Sequence, residues 1–366
     1  MAAVRFEPFR GLPKAAQWSI LVAISVLITA LLRRAQLPAA LLLGPMIAAI
    51  LVEYGGGRIR VPKLPFSFAQ PVIGCMIARV LTADIFLRFF RQWPLFLGVV
   101  VAVIVASCLL GLLISKLRIL PETTAIWGLL PGAASVMMLM AEAFGADMRL
   151  VAFMQYLRVI FVAGAASVIA RFWVHASGGA PATVWFPAIH WVAFGETLAL
   201  IVVGMVVGRR LRIPAGGLLV PMVLGAGLHL GHVIELELPP WLLASGYLLL
   251  GWTTGLRFTR EILAHAGRTL PQIVGSIALL MAFCGLLSWL LVRVAGIDAL
   301  TAYLATSPGG ADSVAIIAAS SKVDVPFVMA LQTVRFLAVL MIGPPLSRWA
   351  AGMLKPGVED GPGVEP

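Results

Sequence analysis

The chain has 366 residues, 61% hydrophobic and only 12% charged, which is about half the charged fraction of an ordinary soluble domain and excludes a conventional water-exposed globule. Its 27 Lys and Arg outnumber its 16 Asp and Glu by 11. The basic residues are scattered over short loops, as in a membrane protein with basic cytoplasmic loops, and are not gathered into the single stripe that nucleic acid requires.

In chain order, the first apolar run is 15–32, preceded by Arg5, Arg10 and Lys14. Its outline resembles a secretory leader, but it ends on Arg33-Arg34 with no small-residue cleavage pattern, so it reads as a structural helix. Further apolar stretches follow at about 37–54, 66–82, 93–116, 122–144 and 150–173. Windows such as 97–115 and 269–292 reach the roughly 20 apolar residues that a spanning helix needs. Cys75, Cys108 and Cys284 all fall inside apolar stretches and read as small packing residues. They offer neither a disulfide framework nor zinc spacing.

The second half of the chain repeats the first. RRAQLPAALLLGPM (33–46) returns as RRLRIPAGGLLVPM (209–222), at an offset of 176. At an offset of 177, Pro131-Gly132 matches Pro308-Gly309, Asp147 matches Asp324, Gln155 matches Gln332, and Arg158 matches Arg335. These matches are polar or helix-breaking residues in register, which chance similarity between apolar helices does not produce. The repeats cover 15–173 and 193–350, joined by a Gly/Pro-containing linker at 174–192; the tail, 351–366, is expected to be disordered.

Loop charge bears on topology. If all six stretches of each half cross, the 24 loop Lys and Arg divide 12 and 12. If 122–144 and 298–320 dip in and return, the division is 17 inside and 7 outside; if 66–82 and its partner do not span, it is 15 and 9. Either asymmetric choice makes the halves inverted repeats with both termini cytoplasmic and the linker outside. The expected fold is therefore all-α and polytopic: two inverted repeats of about five spanning helices, plus broken or re-entrant segments, with 10–12 apolar segments in all.

The candidate site follows from the breaks. Pro131-Gly132 and Pro308-Gly309-Gly310 interrupt apolar stretches, and in lipid a break is tolerated only where protein or a watery cavity satisfies the freed backbone. Matched breaks in two repeats point to a transporter's binding site. The half-helix after each break offers N–H groups and a positive dipole end to an anion, with Ser135 in the first copy and Asp312 and Ser313 in the second. Gln155 and Arg158, like Gln332 and Arg335, are three apart and share a helix face. An arginine inside an apolar helix faces the bundle interior and suits a carboxylate. Competing structural roles are an N-cap for Asp312, an ion pair of Arg335 with Asp312 or Asp324, and arginine bonds to carbonyls freed at the break. Asp147 and Asp324 read as N-caps, Glu142 as a residue reaching the interface, Glu196 as a first-turn residue, and Arg79 as the end of a short helix.

Enzyme signatures are missing. Of His175, His190, His229, His232 and His265, only His229-x-x-His232 has ligand-like spacing, and no Walker A, GxSxG or HExxH motif occurs. No catalytic residue, metal or cofactor is expected.

The doubled Pro-Gly, Asp, Gln-x2-Arg pattern, with LPAALLLGPM (37–46) opening the unit, resembles the membrane AbrB-duplication family over almost the whole chain. Some members carry an ammonia monooxygenase label and others a regulator label. The resemblance implies a role in regulating gene expression. It also implies a likeness to the cation:proton antiporter and anion transporter group, whose inverted repeats cross at broken helices, here at Pro131-Gly132 and Pro308-Gly309-Gly310. This chain has no acidic pair within one membrane segment and no copper or iron ligand set, which argues against sodium/proton exchange and ammonia oxidation. The expected function is a secondary transporter or exporter of a small anionic organic solute in the inner (plasma) membrane, with proton coupling admitted. The alternative is a membrane-bound regulator acting indirectly or through a partner, since no segment outside the membrane is long enough for a DNA-binding module. Expected partners are membrane lipid, the solute and a second copy in a homodimer, and no nucleic acid.

Overall fold

The computed structural model describes residues 8–9, 11–35, 40–81, 93–117, 119–120, 123–132, 137–138, 141, 144–173, 185–211, 216–267, 269–319 and 321–354. Ser135, Glu142, most of the 174–192 linker and the tail from 355 onward lie outside the described residues. Those described are all-α, with 14 helices. The first half contributes α1 (Lys14–Arg34), α2 (Ala40–Tyr54), α3 (Lys63–Val80), α4 (Trp93–Lys116), α5 (Thr124–Leu129) and α6 (Met148–Trp173). The second contributes α7 (Trp191–Arg210), α8 (Gly216–Leu230), α9 (Pro240–Gly255), α10 (Arg260–Ala266), α11 (Leu270–Ala295), α12 (Ala299–Thr306), α13 (Ala311–Ala319) and α14 (Val325–Leu354). Five helices, α1, α4, α6, α7 and α11, are long and apolar enough to cross a membrane, and α2, α8 and Val325–Val339 of α14 are shorter apolar pieces. This is a multi-pass membrane protein.

The sequence repeat is also a repeat of structure. α3 and α9 both start after an extended proline, Pro62 (ψ 152°) and Pro239 (ψ 146°), because proline has no N–H to leave unpaired at a helix start. The chain leaves α2 and α8 through left-handed residues 176 apart, Gly56 (φ 89°) and His232 (φ 54°). The halves then exchange contacts: α3 packs on α8 while α9 packs on α2. The closest approaches are reciprocal. A Cβ on Gly74 would fall within 3.0 Å of the Leu218 carbonyl oxygen, and one on Gly251 within 3.0 Å of the Leu42 carbonyl oxygen. Glycine sits at both positions because the two backbones touch.

Two helix groups result, each drawn from both halves. α1–α3 pack with α7–α9, tied across the repeat by the Trp252 indole donating to Ser25 Oγ at 2.9 Å. α4–α6 pack with α11–α14, where α4 meets α5 and α14, and α11 meets α12 and α6. The Phe96 and Phe327 rings pack edge-on there at 5.0 Å. The broken helices belong to the second group and face the first.

Candidate functional site

Both breaks are real in the fold. α5 stops at Leu129, just before Pro131-Gly132. α12 stops at Thr306, and α13 begins at Ala311 after the non-helical Ser307–Gly310. The short helices are pinned alike at their starts. Thr124 Oγ1 accepts from the Asp147 N–H and Thr301 Oγ1 from the Asp324 N–H, each at 3.0 Å. Asp147 Oδ1 accepts from Leu150 N (3.1 Å) and Asp324 Oδ1 from Phe327 N (3.0 Å), so both aspartates are N-caps, of α6 and α14. Thr301→Val keeps the shape and removes the acceptor from a fully buried site. It is expected to cost about 1–3 kcal/mol, read as a lower unfolding temperature in detergent, and Thr124→Val should behave the same way.

The breaks leave carbonyl oxygens at helix C-termini without partners. The Gln–Arg pairs supply them. Gln155 Nε2 donates to the Trp127 and Leu130 carbonyls at 2.8 and 3.1 Å, and Arg158 Nη1 donates to those of Leu129 and Leu130, both at 3.2 Å. Gln332 Nε2 donates to the Leu304 and Ser307 carbonyls at 2.7 and 3.3 Å. Arg335 donates from Nη1 to Ser307 O (2.6 Å) and from Nη2 to Gly309 O (2.9 Å). Each arginine also donates to its own glutamine, Arg158 to Gln155 Oε1 at 2.5 Å and Arg335 to Gln332 Oε1. The three-residue spacing is thus a device: glutamine holds the guanidinium, and both cap the broken helix, where a cation also meets the negative dipole end. The alternative of an ion pair between Arg335 and Asp324 is not what the fold uses, because the Asp324 carboxylate is turned to its own helix start.

The Nε of each arginine is not used in these caps. Arg158 and Arg335 are 1% and 3% exposed, and the Nε of each has no hydrogen-bond partner. Both line one cavity of about 110 Å³, together with Pro131, Gly132, Gly309, Gly310, Gln155 and Gln332. The breaks of the two halves therefore converge. α13 opens its hydrogen bonding with Val314 N to Gly310 O at 2.9 Å, so its positive N-terminal turn begins at the cavity wall, where Ser313 lies. Pro308 is buried beside it, and Asp312 is in the first turn of α13. No Asp or Glu lines the cavity among the described residues.

The opposite wall carries residues that sequence reasoning passed over. Gln70 of α3, Leu218 and Met222 of α8, and Thr253 and Thr254 of α9 face the broken helices. Arg257, just past α9, stands at the cavity with its guanidinium 5.3 Å from the Tyr156 ring centroid. The available signal was the pair of threonines in WTTGLR (252–257), which answer to Met76 and Ile77 in the other repeat. Glu196 lies in the second turn of α7, not the first, and accepts from the Glu235 N–H at 3.2 Å. Arg79 closes α3, as expected.

Residues 41–351 match the family described as "Transition state regulatory protein AbrB". The chain belongs to this AbrB family. It is 45% identical over 335 residues, 91% of this chain and 96% of the relative, to the Escherichia coli (strain K12) protein named "Putative regulator AbrB". It is 24% identical over 308 residues, 77% of each chain, to "Uncharacterized protein YhjN" of Bacillus subtilis (strain 168).

Proposed function

We propose that this AbrB-family protein is a secondary transporter of a small anionic organic solute in the inner (plasma) membrane, bound between the two breaks. The observation that carries this reading is the pair of buried guanidinium groups, the Nε of each without a hydrogen-bond partner, on one shared cavity. Buried charges are costly unless paired. The helix C-termini they cap offer roughly half an elementary charge each, which offsets only part of the charge. An entering carboxylate supplies the rest and accepts from Nε in the geometry guanidinium favours. Pro131, Gly132, Pro308, Gly309, Gly310, Ser313, Gln155 and Gln332 shape the site, with Ser135 and Asp312 assigned to it from their positions in the sequence.

Inverted halves also fit the charges. The extended segments before α3 and α9 are equivalent, yet one carries Arg58 and Arg60 and the other Glu235 and Glu237. Equivalent segments of inverted repeats lie on opposite membrane faces, and arginine on the inner segment with none on the outer one is what the positive-inside rule then favours. Both termini are assigned to the cytoplasm and the linker to the outer face.

The test is uptake of labelled mono- and dicarboxylates into proteoliposomes, with a trapped pH dye to report proton coupling. Wild-type protein is expected to move at least one of them, and Arg158→Lys and Arg335→Lys to lower the rate at least about tenfold. Movement of none would remove the transport reading. The name of the Escherichia coli relative, a regulator, favours a second reading, a membrane regulator that acts by changing solute levels. In that case transport-dead variants should reproduce the transcript changes of a deletion.

A further inference from the structure

Every element of the cavity has a repeat partner, so an evenly built molecule would have two equivalent entrances. Only one is polar. The cavity runs out along α9 past Thr253, Thr254 and Arg257. At the equivalent positions of α3 the sequence has Met76, Ile77 and Val80. The threonines are partly accessible and Arg257 is exposed, whereas Met76 and Ile77 are 6% and 0% exposed. Deeper in, Leu218 and Met222 line the cavity while their partners Leu42 and Met46 do not, but all four are buried and of matching type, so it is at Thr253, Thr254 and Arg257 that the two sides differ in chemistry. The asymmetry is in the residue types themselves and not only in which side stands open.

Arg257 is also placed by contact. Its guanidinium lies over Tyr156, 5.3 Å from the ring centroid, and Tyr156 is the residue next to Gln155 and itself lines the cavity. Thr253 Oγ1 is committed to its own helix, donating to the Leu249 and Leu250 carbonyls at 2.9 and 3.0 Å. We propose that anions enter toward the two buried arginines along the Thr254 face of α9, with Arg257 as the recruiting charge at its mouth, and that the C-terminal end of α3, at Met76 and Ile77, is an apolar seal against entry from the other face. This rests on reading the cavity as an anion site. It adds an entrance, a recruiting residue and a sealed face, and on the inverted assignment the entrance opens to the cytoplasm, so the solute is loaded for export.

The route can be tested without knowing the solute. In a background lacking the three native cysteines, Thr254→Cys and, as a second position, Thr253→Cys are reacted with anionic sulfonatoethyl and cationic trimethylammonioethyl methanethiosulfonates. Rates are normalised to a free thiol. The expected result is a preference for the anionic reagent of roughly tenfold or more, falling at least about threefold when Arg257→Gln is added, with Ile77→Cys and Met76→Cys unreactive in the same samples. Reaction at Ile77 as fast as at Thr254, or no anionic preference at either threonine position, would overturn the proposal. Failure of all carboxylate uptake with this labelling pattern intact would remove the transport reading and leave the route standing. Uptake with the pattern absent would remove only the route.

Discussion

Replacing Arg335 with alanine is expected to destabilise the protein by about 1–3 kcal/mol or more, the cost of one unsatisfied buried group, because the Gly309 carbonyl loses its arginine donor and the Ser307 carbonyl keeps only the 3.3 Å bond from Gln332. Gln332 also loses the donor that orients its Oε1. Arg158→Ala should cost less. Its Leu129 and Leu130 bonds are both 3.2 Å, against 2.6 and 2.9 Å for Arg335. Arg335→Lys keeps a charge but not the fork that serves two carbonyls and a glutamine at once, so it should fall between wild type and alanine in stability. Thermal unfolding in detergent, followed by size-exclusion elution, reads all three. A wild-type unfolding temperature for Arg335→Ala would show that the guanidinium does not hold the break.

The second large effect is expected where the halves interlock. Gly74→Ala and Gly251→Ala each place a methyl group against a backbone carbonyl oxygen, of Leu218 and of Leu42, which cannot rotate away as a side chain would. Overpacking of this kind costs roughly 1–3 kcal/mol or more. Because the two contacts are equivalent, both losses should fall in that range. Helix propensity alone predicts the opposite sign, since alanine is favoured over glycine by about 1 kcal/mol inside a helix. Thermal unfolding of the two variants therefore decides between close backbone packing and simple propensity. Stabilisation of both would mean that α3–α8 and α9–α2 do not meet as described.

Much of this architecture is legible in the residues. Proline and glycine inside an apolar stretch mark a break because nothing in lipid compensates it except more protein. The repeat shows because polar residues such as Gln155, Arg158, Gln332 and Arg335 are rare enough among apolar ones for a shared register to stand out. The N-cap roles of Asp147 and Asp324 follow from their place in short connectors. The arginines' partners do not show in the same way. Which carbonyl an arginine meets depends on where a helix end folds back, and Leu129, Leu130, Ser307 and Gly309 look like any other backbone. Arg257 illustrates a different limit: counted with the loop residues, it stands at the cavity because α9 happens to end there, against Tyr156 of a helix about 100 residues earlier.

The amino-acid sequence by itself determined that the chain lives in a membrane, that it is one unit written twice, and that each copy breaks at the same place. Those properties depend on composition and local backbone chemistry, which hold wherever a residue ends up. Only the tertiary structure decided that the two breaks meet on one cavity, that the arginines cap their own broken helices and leave their Nε atoms unpartnered, and that α3, α8 and α9 form the facing wall. Apolar helices carry no mark of which neighbour they will pack against, because lipid and another helix look alike to a leucine. Reciprocal close contacts such as Gly74 with Leu218 and Gly251 with Leu42 make that choice, and only folding brings those residues together.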